Sequence, residues 1–213
     1  LYNHEDAGAV GNDMRVLVTE MAGRASVELK SKELGYDLSR DPALLSRVTD
    51  RVKEMEAKGW TFEAADASFE LLIVDEREHG RLRPFSVESW RTIVEQRIDG
   101  EVVSEATVKV VVGERRVVAV GEGNGPVNAL DNALRSALQE VHPELADVQL
   151  VDYKVRILEG VKGTAAVTRT LVGSSDGTQR WDTVGVHENV IAASWMALED
   201  AVAYGLLSAG PRG

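Results

Sequence analysis

The chain has four histidines, His4, His79, His142 and His187. None falls in an HxH or HExxH pattern, and no two share helical ligand spacing, so no metal site is expected from these residues. Cysteine is absent, which removes disulfides and thiolate chemistry. GxSxG and Walker A loops are also absent. The carboxylates Glu20, Glu63, Asp66 and Glu70 fall on expected helices, and nothing sets two of them apart as acid and base. Trp90, Trp181 and Trp195 read as core or interface anchors. The stretch GEGNGP, Gly121–Pro126, is different because it follows a strand and opens a helix. It is not a dinucleotide loop: Pro126 stands where GxGxxG needs its last glycine, and no parallel β-α-β unit follows. A glycine-rich helix start still offers free N–H groups and the positive end of the dipole, which suit a carboxylate. On the loop alone, a tight turn with glycines at positive φ is the preferred reading.

The elements around this loop fall into two kinds. Residues 1 to about 84 read as helical. Ser26 is expected to cap a short helix that stops at Gly35. Asp41-Pro42 starts a second helix with Leu44, Leu45, Val48, Val52 and Met55 at helical spacing, ended by Gly59. Phe62, Ala65, Phe69, Leu72 and Ile73 mark a third. The charged run Asp75–Pro84 reads as a linker.

From Phe85 the texture alternates. Strands are expected around Trp90–Val94, Val108–Val112 and Val117–Gly121. A helix follows with Val127, Leu130, Leu134, Leu138 and Val141 on one face. The order then repeats, with strands at Gln149–Leu158, Ala165–Val172 and Arg180–Val186 and a helix from Asn189 to about Leu207. Gly121 pairs with Gly185, Val127 with Ile191, Ala133 with Ala197 and Leu134 with Leu198, all 64 positions apart by numbering (185 − 121). The reading is therefore α+β: a helical linker arm over 1–84, then a duplicated β-β-β-α domain over 85–213. A lone unit leaves its apolar sheet face partly bare, and packing two together buries it.

A net charge of −11 leaves no basic stripe for nucleic acid. No apolar run is expected to approach the ~20 residues that span a bilayer. No signal peptide is seen, and the lack of cysteine fits the cytoplasm. The chain opens on Leu1 with a motif already in progress, as a piece of something longer would.

Several blocks carry a resemblance. Leu1–Leu29 is similar to the linker that follows the catalytic barrel in citramalate synthases of the isopropylmalate synthase family, and Phe62–Leu72 to that family's second linker helix. Ser104–Val110, Glu122–Arg135, Asp152–Val172 and Trp181–Val202 resemble its C-terminal regulatory domain, in collinear order. The resemblance implies a parent acyltransferase that condenses acetyl-CoA with pyruvate in a (β/α)8 barrel holding a divalent metal. The barrel is outside these residues, so the chain itself is expected to be inactive and free of cofactor. It also implies a homodimer with isoleucine or leucine as feedback inhibitor. Trp195, Met196 and Tyr204 are the expected interface groups.

By the same resemblance, Tyr2 matches a tyrosine that reaches the partner subunit's barrel. The effector pocket would be lined by Gly123, Asn124, Gly125, Val127 and Asn128. Leu150, Tyr153 and Ile157 of the next strand would follow, then Ala165 and Val167. This tips the Gly-rich loop from simple turn to carboxylate receptor. The alternatives are a purely structural dimerisation module that binds no effector, or the equivalent region of a 2-isopropylmalate synthase.

Overall fold

A computed structural model describes residues 23–81, 83–158 and 166–209. Three helices come first: α1 (Arg24–Glu33), α2 (Pro42–Ala57) and α3 (Asp66–Arg77). Gly23, not Ser26, stands at the N-cap of α1. The α2 start is as expected: the Asp41 carboxylate accepts the Leu44 N–H at 2.9 Å, with Pro42 in the first turn. Gly35 and Gly59 close α1 and α2 at φ of 89° and 98°, a region that favours glycine. Phe62 and Ala65 precede α3 rather than lie on it, yet both are fully buried. The expected linker is partly helix, since Asp75–Arg77 complete α3.

Two antiparallel three-stranded sheets follow, each closed by a helix. The first is β1 (Ser86–Gln96), β2 (Val102–Val112) and β3 (Arg115–Gly123) with α4 (Pro126–Leu138). The second is β4 (Gln149–Ile157), β5 (Thr168–Ser175) and β6 (Arg180–His187) with α5 (Val190–Ala209). The β-β-β-α duplication expected from the sequence is borne out, although β5 begins at Thr168 rather than Ala165. Alternation explains the pattern: Ala106, Val108, Val110 and Val112 face α4 and are buried, while their neighbours face away. The register repeats as well. Trp90, Val108 and Ala119 stand side by side across the first sheet, and Tyr153, Val172 and Thr183 across the second.

The helices lie close on their sheets because of two glycines. A Cβ on Gly121 would collide with the α4 backbone at Ala133, and one on Gly185 with the α5 backbone at Ala193. α4 and α5 also pack on each other, so one core runs from Val108 through Leu134 to Leu198 and Val202. The outer face of the second sheet is covered by α2 and α3, whose apolar residues share a cluster with Val184 and Val186. The Ser68 hydroxyl accepts the Val184 N–H at 2.9 Å across that contact.

Two expectations are corrected. α5 is long and apolar enough to cross a membrane by length and composition. It serves instead as a core helix, with Ala193, Ala197, Leu198, Ala201 and Val202 buried. Trp195 is also buried, at 5% exposed, and Met196 and Tyr204 are partly covered, so this trio is not an open interface.

Candidate functional site

α4 opens without a side-chain cap. Gly125 stands at its N-cap in extended conformation and Pro126 follows, so the Val127 and Asn128 N–H groups have no side-chain acceptor from the cap. The equivalent start of α5 is closed. Asn189, 64 positions on (189 − 125), accepts the Ile191 and Ala192 N–H groups at 2.8 and 3.1 Å. The two units thus present one open helix N-terminus, that of α4, and one self-capped, that of α5.

The open start lies beside a groove of about 700 Å³ between α4 and β4. Gly125, Val127 and Asn128 line it from the helix, Leu150 and Tyr153 from the strand, and Ile191 from α5. Tyr153 is held upright. Its hydroxyl lies 2.7 Å from Ser194 Oγ, and that hydroxyl in turn donates to the Val190 carbonyl at 2.7 Å, so Tyr153 is the donor of the pair. The Asn128 side chain accepts the Asn124 N–H at 3.2 Å. With Asn132, which donates to the Glu122 carbonyl at 2.7 Å, it pins the Gly-rich loop to the helix.

Asp131 and Arg135 line the same groove and were not anticipated. The carboxylate of Asp131 is almost fully buried, and burial holds its pKa above the usual range while Arg135 pulls it back. Arg135 Nε donates to it at 2.8 Å. Arg135 Nη1 donates to the Leu145 and Val148 carbonyls at 3.4 and 2.5 Å, tying α4 to the approach of β4. Nη2 of the same group is buried with no acceptor among the described residues. In sequence the pair shows only as an i,i+4 charge couple, the usual mark of a solvated helix face.

The structure gathers Gly125, Val127, Asn128, Leu150 and Tyr153 and leaves the other described candidates outside. Gly123 and Asn124 lie behind the helix start. A Cβ on Gly123 would come within 2.6 Å of the Ala129 nitrogen, so this glycine serves close approach. Ile157 is at the far end of β4 and 67% exposed. Val167 packs with the α2–α3 cluster, on the opposite side of the second sheet from Tyr153. Tyr2 and Ala165 lie outside the described residues. Among the described residues no cluster of His, Asp and Glu could hold a metal ion.

Residues 63–206 match the LeuA allosteric (dimerisation) domain. The chain is 63% identical to an (R)-citramalate synthase of Streptomyces coelicolor over 99% of its own length and 39% of that protein. It is 43% identical to the (R)-citramalate synthase of Aquifex aeolicus over 97% of the chain, and 47% identical to that of Geobacter sulfurreducens over 96%, again with 39% of each relative covered. The chain thus spans about two fifths of the length of the curated relatives it matches. The match covers α3, both sheets, α4 and nearly all of α5, the elements that build the groove, and the chain belongs to the LeuA allosteric (dimerisation) domain family.

Proposed function

We propose that the chain is the regulatory and dimerising part of an (R)-citramalate synthase-like acyltransferase, and that the α4–β4 groove binds a branched-chain amino acid as feedback inhibitor. The observation that carries this reading is the uncapped start of α4 beside an apolar wall. An effector carboxylate would accept the Val127 and Asn128 N–H groups at the positive end of the helix. Its branched side chain would lie against Leu150, Ile191 and the ring of Tyr153. The condensation of acetyl-CoA with pyruvate, and its divalent metal, belong to residues outside this chain. Isoleucine and leucine differ in such a groove by the placement of one methyl group, worth only ~1–3 kcal/mol.

Homodimerisation belongs to the same proposal. Among the described residues, one apolar surface available for it is the outer face of the first sheet, where Ile93, Val118 and Val120 are about half exposed.

The test is Gly125→Asp. A Cβ at Gly125 meets nothing within 4 Å, and φ of −168° is open to any residue, so the variant should fold. The glycine is therefore not there for its backbone freedom, contrary to the sequence expectation. Aspartate would cap α4 as Asn189 caps α5, raising stability by a few tenths of a kcal/mol. It would also occupy the two N–H groups and repel a carboxylate. Calorimetric titration with isoleucine and with leucine should show binding to the wild type that the variant has lost. Equal binding by a folded Gly125→Asp chain would refute the placement of the site.

A further inference from the structure

The duplication makes a second groove. The first groove lies between the opening strand of the second unit, β4, and the helix of the first, α4. The same relation holds between β1 and α5, and there a cleft of about 790 Å³ lies along β1. Both opening strands carry an irregularity at the same place, between Val87 and Ser89 in β1 and between Leu150 and Asp152 in β4. The register puts Trp90 where the first groove has Tyr153, and the helix offset puts Trp195 in place of Asp131 and Glu199 in place of Arg135.

Those exchanges change what the second cleft can hold. Trp195 stacks on Trp90 with centroids 5.7 Å apart and planes 29° apart, so an aromatic pair lines this cleft where the first groove has Tyr153 and Asp131. Asn189 closes the helix start to a carboxylate. Glu199 is a buried anion where Arg135 is a cation, and its partner comes from the connector between α3 and β1. Arg81 reaches Glu199 at 3.0 Å and Asp200 at 3.1 Å. Arg83 binds Asp200 at 3.3 Å and Asp75 of α3 at 2.6 Å.

We infer that the second groove docks the chain's own connector through Arg81 and Arg83, and that this clasp carries the occupancy of the first groove to the helical arm. The route is short. Ile191, which lines the first groove, and Glu199 and Asp200, which hold the connector, all lie on α5, which also packs on α4. A ligand bridging α4, β4 and Ile191 would fix α5 and so hold the clasp shut. The coupling half of this inference rests on the effector reading above; the docking half does not.

Limited trypsin digestion tests both halves on the intact 213-residue chain, reading the cut after Arg81. Cleavage of a transiently opened segment follows its open population. Without ligand, Glu199→Gln/Asp200→Asn should be cut about tenfold faster than wild type, since charge-assisted pairs hold the segment down. With saturating isoleucine or leucine, wild-type cleavage should slow by at least about fivefold, and the double variant should lose that response. Should the double variant fold poorly, Arg81→Met carries the comparison, read by hydrogen exchange at the connector amides. Equal ligand-free rates in wild type and variant overturn the docking. Calorimetric binding with no change in cleavage overturns the coupling alone. No binding heat from either amino acid removes the effector reading and the coupling with it, while the ligand-free comparison still decides the docking.

Discussion

Gly121→Ala tests whether the position of α4, and with it the width of the groove, is set by a single missing methyl group. A Cβ at that position would overlap the Ala133 nitrogen and lie 2.7 Å from the Ala129 carbonyl oxygen and 2.9 Å from Ala133 Cα. Carbon contacts are comfortable only at roughly 3.5–4.0 Å, and all three obstacles are backbone, so no side chain can swing aside. The helix has to move off the sheet by something near 1 Å, and a gap of that size forfeits a quarter to a half of each contact it opens. The apolar face made by Leu130, Leu134 and Leu138 would loosen together. Overpacking of this kind costs typically 1–3 kcal/mol, and the top of that range, about 3 kcal/mol, is expected here. For a chain of this size that corresponds to a melting point lower by about 6–12 °C. Because α4 carries Val127 and Asn128, amino-acid affinity should fall with stability. Gly125→Ala is the control, since its Cβ meets nothing and the change should stay within about 0.5 kcal/mol. Urea denaturation and calorimetry on the pair give the answer. A Gly121→Ala chain as stable as the Gly125→Ala chain would show that the helix does not rest on the strand backbone.

Other expected outcomes follow from single groups. Asp176 in the β5–β6 turn accepts the N–H groups of Gln179 and Thr178 at 2.8 Å each, and these bonds hold its pKa down to about 2. The folded value lies below the unfolded value of about 4, so its stabilisation is complete above pH ~4 and is lost as pH falls towards 2. Asp176→Asn should flatten that part of the melting-point profile, and a carboxyl that titrates near 4 by NMR would contradict it. Arg135→Met leaves Asp131 buried without its cation and should cost about 3 kcal/mol at neutral pH. Burial already raises the pKa of Asp131, so the variant's stability should fall as pH rises through the range above ~4; Asp131→Asn in the same chain should restore part of it, as read by denaturation across pH. Ser194→Ala removes the acceptor that holds Tyr153 and should cost about 1 kcal/mol in a urea melt, with weaker amino-acid binding by calorimetry.

The sequence carried the architecture because period and spacing report it directly. Alternation at Val108, Val110 and Val112, the Asp41-Pro42 start and the 64-residue offset are local or self-referential signals, and each corresponds to an observed element. Half of the groove, Gly125, Val127, Asn128, Leu150 and Tyr153, was reached through the family resemblance and not through strand period, because Leu150 and Tyr153 are three residues apart and share a face only through the register shift between Leu150 and Asp152. What escaped notice depends on the fold bringing distant elements together. Asp131 and Arg135 look like a solvated i,i+4 couple until β4 is laid across them and buries the carboxylate. Val167 is a wall residue by the family resemblance, but it precedes β5 and packs with the α2–α3 cluster. Ser26 has cap chemistry, yet α1 begins two residues before it.

The 64-residue offset holds a further lesson in what it does not preserve. Gly121 and Gly185 serve the same close approach of helix to strand, so the fold imposes identity there. Gly125 and Asn189 occupy matching helix starts where the fold imposes nothing, because the backbone at Gly125 is extended and a Cβ there meets no neighbour. The two units also differ at Tyr153 and Trp90, Asp131 and Trp195, and Arg135 and Glu199. Packing demands explain why the two units still superpose in register, but they do not explain four exchanges that all alter the same two grooves. A difference in what each groove holds does explain them: an open N-terminus and an apolar wall on one side, and a stacked tryptophan pair with an arginine clasp on the other.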